Sequence, residues 1–355
     1  MMPLIVVIYD SINHSIFEGQ VLTPLIKRLN LNLCTTVHLI SFEHEINDAT
    51  QLLKKRFESI DSRITITLFK RNRFIHTSLF FKDIKTVKTF VKSFPTYQLM
   101  ARGPLAGYIT KKAATKNCTS VTIQARGLLA EEYAYTHQNK EGKLSLLHRM
   151  RLHQLYAVER QAYQPFKKSI PFFIETVSPA LQEYLETTYN APSKAFIESL
   201  FDIPDAISDD LKKHCRTQRR TELGITPETT VYVYNGSLKP WQCTQETINH
   251  FLTIQKTNPT AFFVALTPDT VEMTQLLQKN AVSYDSYRVL CALDHTTVME
   301  YLCAADYGFL LRVKHPMNWV SRPTKLLEYQ AAGITIIHNN TIALLSLVMT
   351  EKVLS

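Results

Sequence analysis

The stretch Trp319–His338 reads WVSRPTKLLEYQAAGITIIH, a helix-start signal, a charged helix face and a following strand in one short run. Ser321 and Pro323 predict a helix beginning at Pro323, because proline at the first helical position loses no hydrogen bond and presets φ. Lys325 and Glu328 are three residues apart and so share a face near that start. Ala331, Ala332 and Gly333 let the helix end tightly, and Ile334–Ile337 reads as a buried strand. A helix N-terminus offers unpaired N–H groups and a partial positive charge, which suits a phosphate. A carboxylate one turn further in accepts hydrogen bonds from sugar hydroxyls. The combination is that expected of a site for a sugar diphosphate.

Working outward, the second half of the chain alternates strand and helix. The expected strands are Val231–Tyr234, Ala261–Leu266, Arg288–Cys291 and Tyr307–Leu311, with helices Gln245–Gln255, Asp269–Gln278 and Thr296–Cys303 between them. The first half does the same, with strands Leu4–Tyr9, Val37–Phe42, Ile64–Phe69 and Val121–Ile123. Its expected helices are Gly19–Leu29, Ala49–Ser59, Phe80–Phe94 and Leu144–Tyr163. Such alternation implies parallel sheets joined by right-handed crossovers. At 355 residues the chain exceeds one typical core. We therefore expect two doubly wound domains, 1–200 and 201–355, divided near the polar, proline-containing segment Phe201–Asp210. A ligand would lie in the cleft that they face, beyond the carboxyl ends of the strands.

With 45% hydrophobic and 20% charged residues, the composition excludes a disordered or fibrous chain. The net charge of +9 favours acidic partners: phosphates, nucleotides or an anionic membrane surface. The six cysteines include no C-x-x-C pair and are expected to be reduced, in a cytoplasmic protein. No run approaches the roughly 20 apolar residues needed to span a bilayer. The twelve histidines show no metal-ligand spacing, and there is no D-x-D triplet, no G-x-G-x-x-G and no Walker-type phosphate loop. No metal and no cofactor is expected, and protein cations with backbone N–H groups would neutralise a leaving phosphate. Nucleic acid is not an expected partner, since the basic residues are dispersed and lack interleaved aromatics.

Two further places can hold a phosphate. Val231–Tyr234 runs into Asn235-Gly236-Ser237-Leu238-Lys239, where glycine permits close backbone approach and lysine adds a point charge. The strand at Tyr307 delivers Arg312 to its carboxyl end. Lys239, Arg312 and the helix start would converge on one diphosphate, unless both cations are solvated loop residues. Glu328 is either a ligand contact or a surface partner of Lys325. In the first half, Arg126-Gly127 ends a strand with Glu131 and Glu132 just beyond: an acceptor-side or catalytic group, or a loop salt bridge. Arg102-Gly103 is another turn bearing a cation. The helix at Phe80–Phe94 carries Lys82, Lys85, Lys88 and Lys92 mostly off its apolar stripe. It either docks on an anionic membrane or faces its stripe to the core with the lysines solvated.

Taken in order, Leu310-Leu311-Arg312, Ser321 to Tyr329 and Ala332-Gly333 resemble the donor-site motif of retaining glycosyltransferases of family 4, which have the GT-B fold. Glu18-Gly19-Gln20, Ile40 to Glu43, Arg126-Gly127 with Glu131-Glu132, Val177-Ser178, Gly236-Ser237 with Trp241-Gln242, and Ala305 to Gly308 extend the similarity over most of the chain. The resemblance implies two Rossmann-like domains and transfer of a sugar from a sugar (nucleotide) diphosphate to a glycan or lipid-linked glycan in surface polysaccharide synthesis, at the inner membrane face. It implies that Glu328 binds the donor ribose and that Arg312, Lys239, Pro323, Thr324 and Lys325 hold the diphosphate beside Gly236 and Ser237. Gly19, Gln20, Arg102 and Glu131 would lie on the acceptor side, with Arg126, Arg312 and Lys239 as catalytic candidates. The family's second glutamate is replaced by Val320, and Gln124 stands where an aspartate or histidine is usual. The closing helix that usually returns to the first domain is not reached. Two other readings stay open: a phosphoribosyl-type transferase using a sugar pyrophosphate without a nucleoside, and a catalytically silent GT-B partner subunit.

Overall fold

Two five-residue runs, LIVVI at Leu4–Ile8 and FFVAL at Phe262–Leu266, are buried at every position, as strands covered on both faces must be. They belong to two separate sheets. The computed structural model describes residues 1–14, 17–71, 80–139, 141–166, 169–291, 294–347 and 351–353. The chain divides into two compact units, Met1–Asp202 and Ile203–Ser355.

In the first unit, β1 (Leu4–Ile8), β2 (Val37–Glu43), β3 (Ile64–Lys70), β4 (Tyr97–Arg102), β5 (Cys118–Ala125), β6 (Phe172–Thr176) and β7 (Phe196–Glu198) form a seven-stranded sheet in the order β3-β2-β1-β4-β5-β6-β7. In the second, β8 (Val231–Asn235), β9 (Phe262–Leu266), β10 (Tyr287–Leu290), β11 (Tyr307–Leu310), β12 (Thr335–His338) and β13 (Glu351–Val353) form a six-stranded sheet in the order β10-β9-β8-β11-β12-β13. Every strand pair is parallel. The order reverses beside β1 and beside β8, the switch points where doubly wound sheets hold ligands. Among the described residues no helix is long and apolar enough to cross a membrane.

Alternation along β8 sends Val231 and Val233 into one apolar cluster and Tyr232 and Tyr234 into another, on opposite faces of the sheet. On the first face Tyr329, fully buried in the helix Thr324–Ala332, lies directly over Gly308 of β11. A Cβ at Gly308 would stand 2.6 Å from the ring of Tyr329. That close approach lets the Tyr329 hydroxyl reach the Phe309 carbonyl at 3.3 Å and accept from the Asn235 amide at 3.2 Å. One tyrosine therefore ties this helix to β8 and β11 together. Pro323 is a correction to the expected start. Its ψ of 139° is extended, so it is the residue before the helix, which begins at Thr324.

The first unit buries more polar chemistry. Glu175 of β6 accepts from Arg28 at 2.7 Å, from the Gln124 amide at 2.9 Å and from the Ser199 hydroxyl at 2.8 Å. Lys111 is buried and gives its ammonium to the carbonyls of Gln161, Ala162 and Gln164, closing the end of the helix Leu146–Tyr163. Within that helix, Glu159 is fully buried and accepts from the Leu129 amide at 2.7 Å and the Tyr189 hydroxyl at 2.6 Å.

Gly308→Ala is expected to cost about 1–3 kcal/mol through overpacking against Tyr329, read as a lower urea midpoint. Burial raises the Glu159 carboxyl to about 7, against the pull of its hydrogen bonds. A carboxyl raised in the fold stabilises below its unfolded value near 4.5, and that stability is lost as pH climbs to 7. From this group the loss is about 3 kcal/mol. Denaturation at pH 5 and pH 8 checks it: the wild type should lose stability over that interval, and Glu159→Gln should lose less than half as much.

Candidate functional site

The loop after β8 and the start of the helix Thr324–Ala332 meet at Gly236. The residue has φ +129°, a conformation that L side chains rarely adopt. A Cβ there would stand 3.1 Å from the Lys325 ammonium and 3.3 Å from Gln242. Lys325 is buried, donates to Gln242 Oε1 at 2.6 Å, and lies 4.7 Å over the Tyr234 ring. The Gln242 amide in turn donates to the Ser237 hydroxyl at 3.3 Å. Burial drives the Lys325 ammonium well below its ordinary range, and the positive charge of Arg312 adds to that, with Glu328 opposing.

Arg312 follows β11 and is also buried. Its backbone is clamped by Asn339, which accepts from the Arg312 amide at 3.2 Å and donates to its carbonyl at 2.8 Å. Burial lowers its guanidinium pKa as well, and among the described residues its buried Nη1 has no hydrogen-bond partner.

Glu328, one turn into the helix, is 6% exposed rather than paired at the surface. Its Oε2 accepts from the Asn235 side-chain amide at 2.7 Å, and its Oε1 lies 3.4 Å from His295 Nε2. Pro323 and Thr324 form a half-buried helix tip, with Pro323 in the position before the first helical turn. Gly236, Ser237, Pro323, Thr324, Lys325, Glu328 and Arg312 thus belong to one neighbourhood at the carboxyl ends of β8 and β11. The cation that joins Arg312 indoors is Lys325 and not Lys239, which is exposed with its ammonium 5.1 Å over Trp241. Asn235, Gln242 and His295 were not singled out as site residues from sequence.

The acceptor-side candidates of the first unit divide into separate groups. Gln20 accepts from Arg102 through its side chain at 2.6 Å and through its carbonyl at 3.3 Å. Gly19 and Gln20 sit in a short π-helical turn, Glu18–Leu22. Arg102 ends β4, is buried, and is lowered to about 10 by burial and then by the charge of Arg126. Arg126 donates to Asp202 and stands 3.6 Å from Glu175, which is the salt bridge named above as its alternative. Two of its nitrogens, Nε and Nη2, are buried without hydrogen bonds among the described residues. Glu131 is held elsewhere, by the hydroxyls of Tyr156 at 2.7 Å and Tyr184 at 3.2 Å.

No sequence-family model matches the chain, and no curated protein sequence does. Solved structures do. WaaG, a glycosyltransferase involved in lipopolysaccharide biosynthesis, aligns over 99% of this chain and 85% of its own, at 13% identity and a TM-score of 0.68. HepE of Anabaena, solved with UDP and glucose, aligns over 99% of this chain and 86% of its own, at 12% identity and a TM-score of 0.65. Both units have to align for coverage of that extent. The fold is GT-B. Sucrose-phosphate synthase from Thermosynechococcus elongatus is similar again, at 14% identity, a TM-score of 0.65, and coverage of 98% of this chain and 84% of its own. In this GT-B chain the two switch points carry the buried cations described above, Arg102 after the first and Arg312 with Lys325 after the second.

Lys325 offers a test independent of any ligand. A buried ammonium repelled by Arg312 contributes little to stability, so Lys325→Met is expected to leave the unfolding free energy unchanged or raise it by about 1–2 kcal/mol. A loss of about 3 kcal/mol in chemical denaturation would instead make Lys325 a structural ion-pair partner.

Proposed function

We propose that the protein is a retaining glycosyltransferase that moves a sugar from a nucleotide-sugar diphosphate to a hydroxyl of a glycan or lipid-linked glycan. The observation that carries this reading is the burial of Arg312 and Lys325 beside the start of the helix Thr324–Ala332, with Glu328 one turn behind, in a GT-B fold. Two cations against one carboxylate leave positive charge that a diphosphate would neutralise. Glu328, already oriented by Asn235, would accept hydrogen bonds from the ribose hydroxyls. The open backbone at Gly236 and Ser237 admits a phosphate closely, and Pro323 and Thr324 present the helix tip to it.

In the proposed reaction the bond from the anomeric carbon to the diphosphate oxygen breaks, and a bond to the acceptor oxygen forms on the same face. The acceptor's proton passes to the departing phosphate oxygen. Arg312 and Lys325 stabilise charge growing on that group, so the protein contributes positioning and preorganised electrostatics. Lys239, exposed at the mouth of the same loop, would add charge there. On the acceptor side the reading assigns Arg126 and Arg102 to orienting the acceptor, with Gly19 and Gln20 shaping the turn that holds Arg102, and Glu131 to acceptor contact. WaaG, named for lipopolysaccharide biosynthesis, supports a surface-polysaccharide acceptor.

A thermal-shift screen of nucleoside diphosphates and their sugar conjugates tests the donor reading, since a ligand of the native state raises the melting temperature. At least one nucleotide is expected to stabilise the wild type. Glu328→Ala should weaken that nucleotide by about 10- to 100-fold, the loss of a charged hydrogen bond. Arg312→Ala should lower turnover more than it lowers stability. No response to any nucleotide, or an unchanged response in Glu328→Ala, would reject the donor site.

A further inference from the structure

Two histidines that no spacing along the chain pairs are brought together in the first unit. His137 is the last residue of the helix Leu129–His137, and His148 lies in the first turn of the helix Leu146–Tyr163. In the connection between them, Asn139 Oδ1 accepts from the amides of Glu141 at 3.0 Å and Lys143 at 2.8 Å, which turns the chain back. Ser145 then caps the second helix, its hydroxyl accepting from the His148 amide at 3.3 Å. The two imidazoles end 4.6 Å apart, centre to centre, with 38° between their planes.

Tyr133 holds both rings. Its own ring stacks on that of His137 with centroids 4.1 Å apart, its carbonyl lies 2.9 Å from His137 Nδ1, and its hydroxyl lies 2.7 Å from His148 Nδ1. A neutral His137 that gives its Nδ1–H to the carbonyl carries its lone pair on Nε2. A phenol hydroxyl accepts as well as donates, so the same tautomer is open to His148. Aromatic packing alone would be served by phenylalanine at either position. Imidazoles fixed through one ring nitrogen, with the other left to bind, are the arrangement that supports metal ligation.

We propose that His137 and His148 bind one divalent transition-metal ion through their Nε2 atoms and so pin the end of one helix to the start of the next. Paired imidazoles suit zinc, nickel or copper, whereas magnesium and calcium prefer oxygen ligands. Zinc–nitrogen bonds of about 2.0–2.1 Å place two ligating nitrogens about 3.4 Å apart in a tetrahedral shell. Rings at this separation reach that span by small rotations about χ2. Among the described residues no group of three or more histidine, cysteine, aspartate or glutamate side chains could hold a metal, so water completes the shell. The Arg151 guanidinium, 5.7 Å over the Tyr133 ring, repels a divalent ion and keeps the site weaker than a closed structural zinc centre. The other end of the helix Leu129–His137 is already fixed, by Glu159 on the Leu129 amide and by Tyr156 and Tyr184 on Glu131. The ion acts at the opposite end. It has no part in the proposed transfer, and the inference does not rest on that reading.

The test is calorimetric titration of the tag-free full chain with zinc chloride and nickel chloride, with magnesium chloride as the control. One saturable site per chain is expected for zinc or nickel and none for magnesium. His137→Ala and His148→Ala should each abolish it. Tyr133→Phe, which keeps the stacked ring and loses the hydroxyl, should weaken it about tenfold. His153→Ala, at an exposed histidine further along the same helix, should leave it intact. Zinc should raise the melting temperature of the wild type and of His153→Ala, and of neither His137→Ala nor His148→Ala. His137 is exposed, so His137→Ala without metal should melt as the wild type does, which keeps loss of binding apart from loss of fold. The nucleotide response should be the same in zinc as in EDTA, so this result and the donor test fail separately. No saturable binding of zinc or nickel, binding that survives both alanine substitutions, or binding lost equally in His153→Ala would overturn the proposal.

Discussion

Burying a cation without a matching anion is among the more expensive things a fold can do, and this chain does it twice within one neighbourhood. Lys325 has a neutral amide and a tyrosine face for company, and Arg312 keeps a buried nitrogen with no acceptor. Glu328 is the nearby carboxylate, and its oxygens are already engaged by Asn235 and His295. The helix carrying Lys325 and Glu328 is anchored by Tyr329 over Gly308, an apolar contact that would hold without either charge. On the proposed function, the cations represent stability given up for chemistry, as a preorganised electrostatic site requires.

The first unit handles its charges differently. Arg28, Arg126, Gln124 and Ser199 gather around Glu175, and Asp202 takes a second bond from Arg126. Here carboxylates answer the arginines, so the cluster is closer to a structural network, with Arg102 beside it and leaning on Gln20. Gln124 serves as a buried amide that orients Glu175. The sheet switch point at β1 thus has a rigid polar floor, whereas the one at β8 has an under-neutralised one. That asymmetry is what supports the proposed placement of a diphosphate in the second unit.

Much of this was legible from residue order. Apolar runs such as LIVVI and FFVAL announced buried parallel strands, and the Lys325–Glu328 spacing announced a shared helix face before any coordinates. The strand at β5 read as three residues and is eight, because Gln124 is polar and its burial depends on Glu175 in another strand. Strand β4, strands β6 and β7 and the helix Gly103–Ala113 are absent from the expected elements, the last three for a related reason. Their cues are a short FFIET, a three-residue FIE and an opening Gly-Pro that looks like a turn. In the candidate site the local spacing carried Lys325 and Glu328 but not their partners. Gln242 lies 83 residues from Lys325 and Asn235 lies 93 from Glu328, separations at which no periodicity survives. Lys239 and Lys325 look alike on paper; only tertiary packing decides which one is buried.

The most direct measurement is titration calorimetry near pH 9, with nucleoside diphosphates and their parent nucleosides, in buffers of different ionisation enthalpy. Because burial holds the Lys325 ammonium well below its ordinary range, a bound diphosphate should draw a proton onto it. One diphosphate is expected to bind with net proton uptake, and its nucleoside to bind about 100-fold more weakly or not at all. Equal affinity for nucleoside and diphosphate, or no binding by any diphosphate, would contradict a phosphate site built on Arg312 and Lys325.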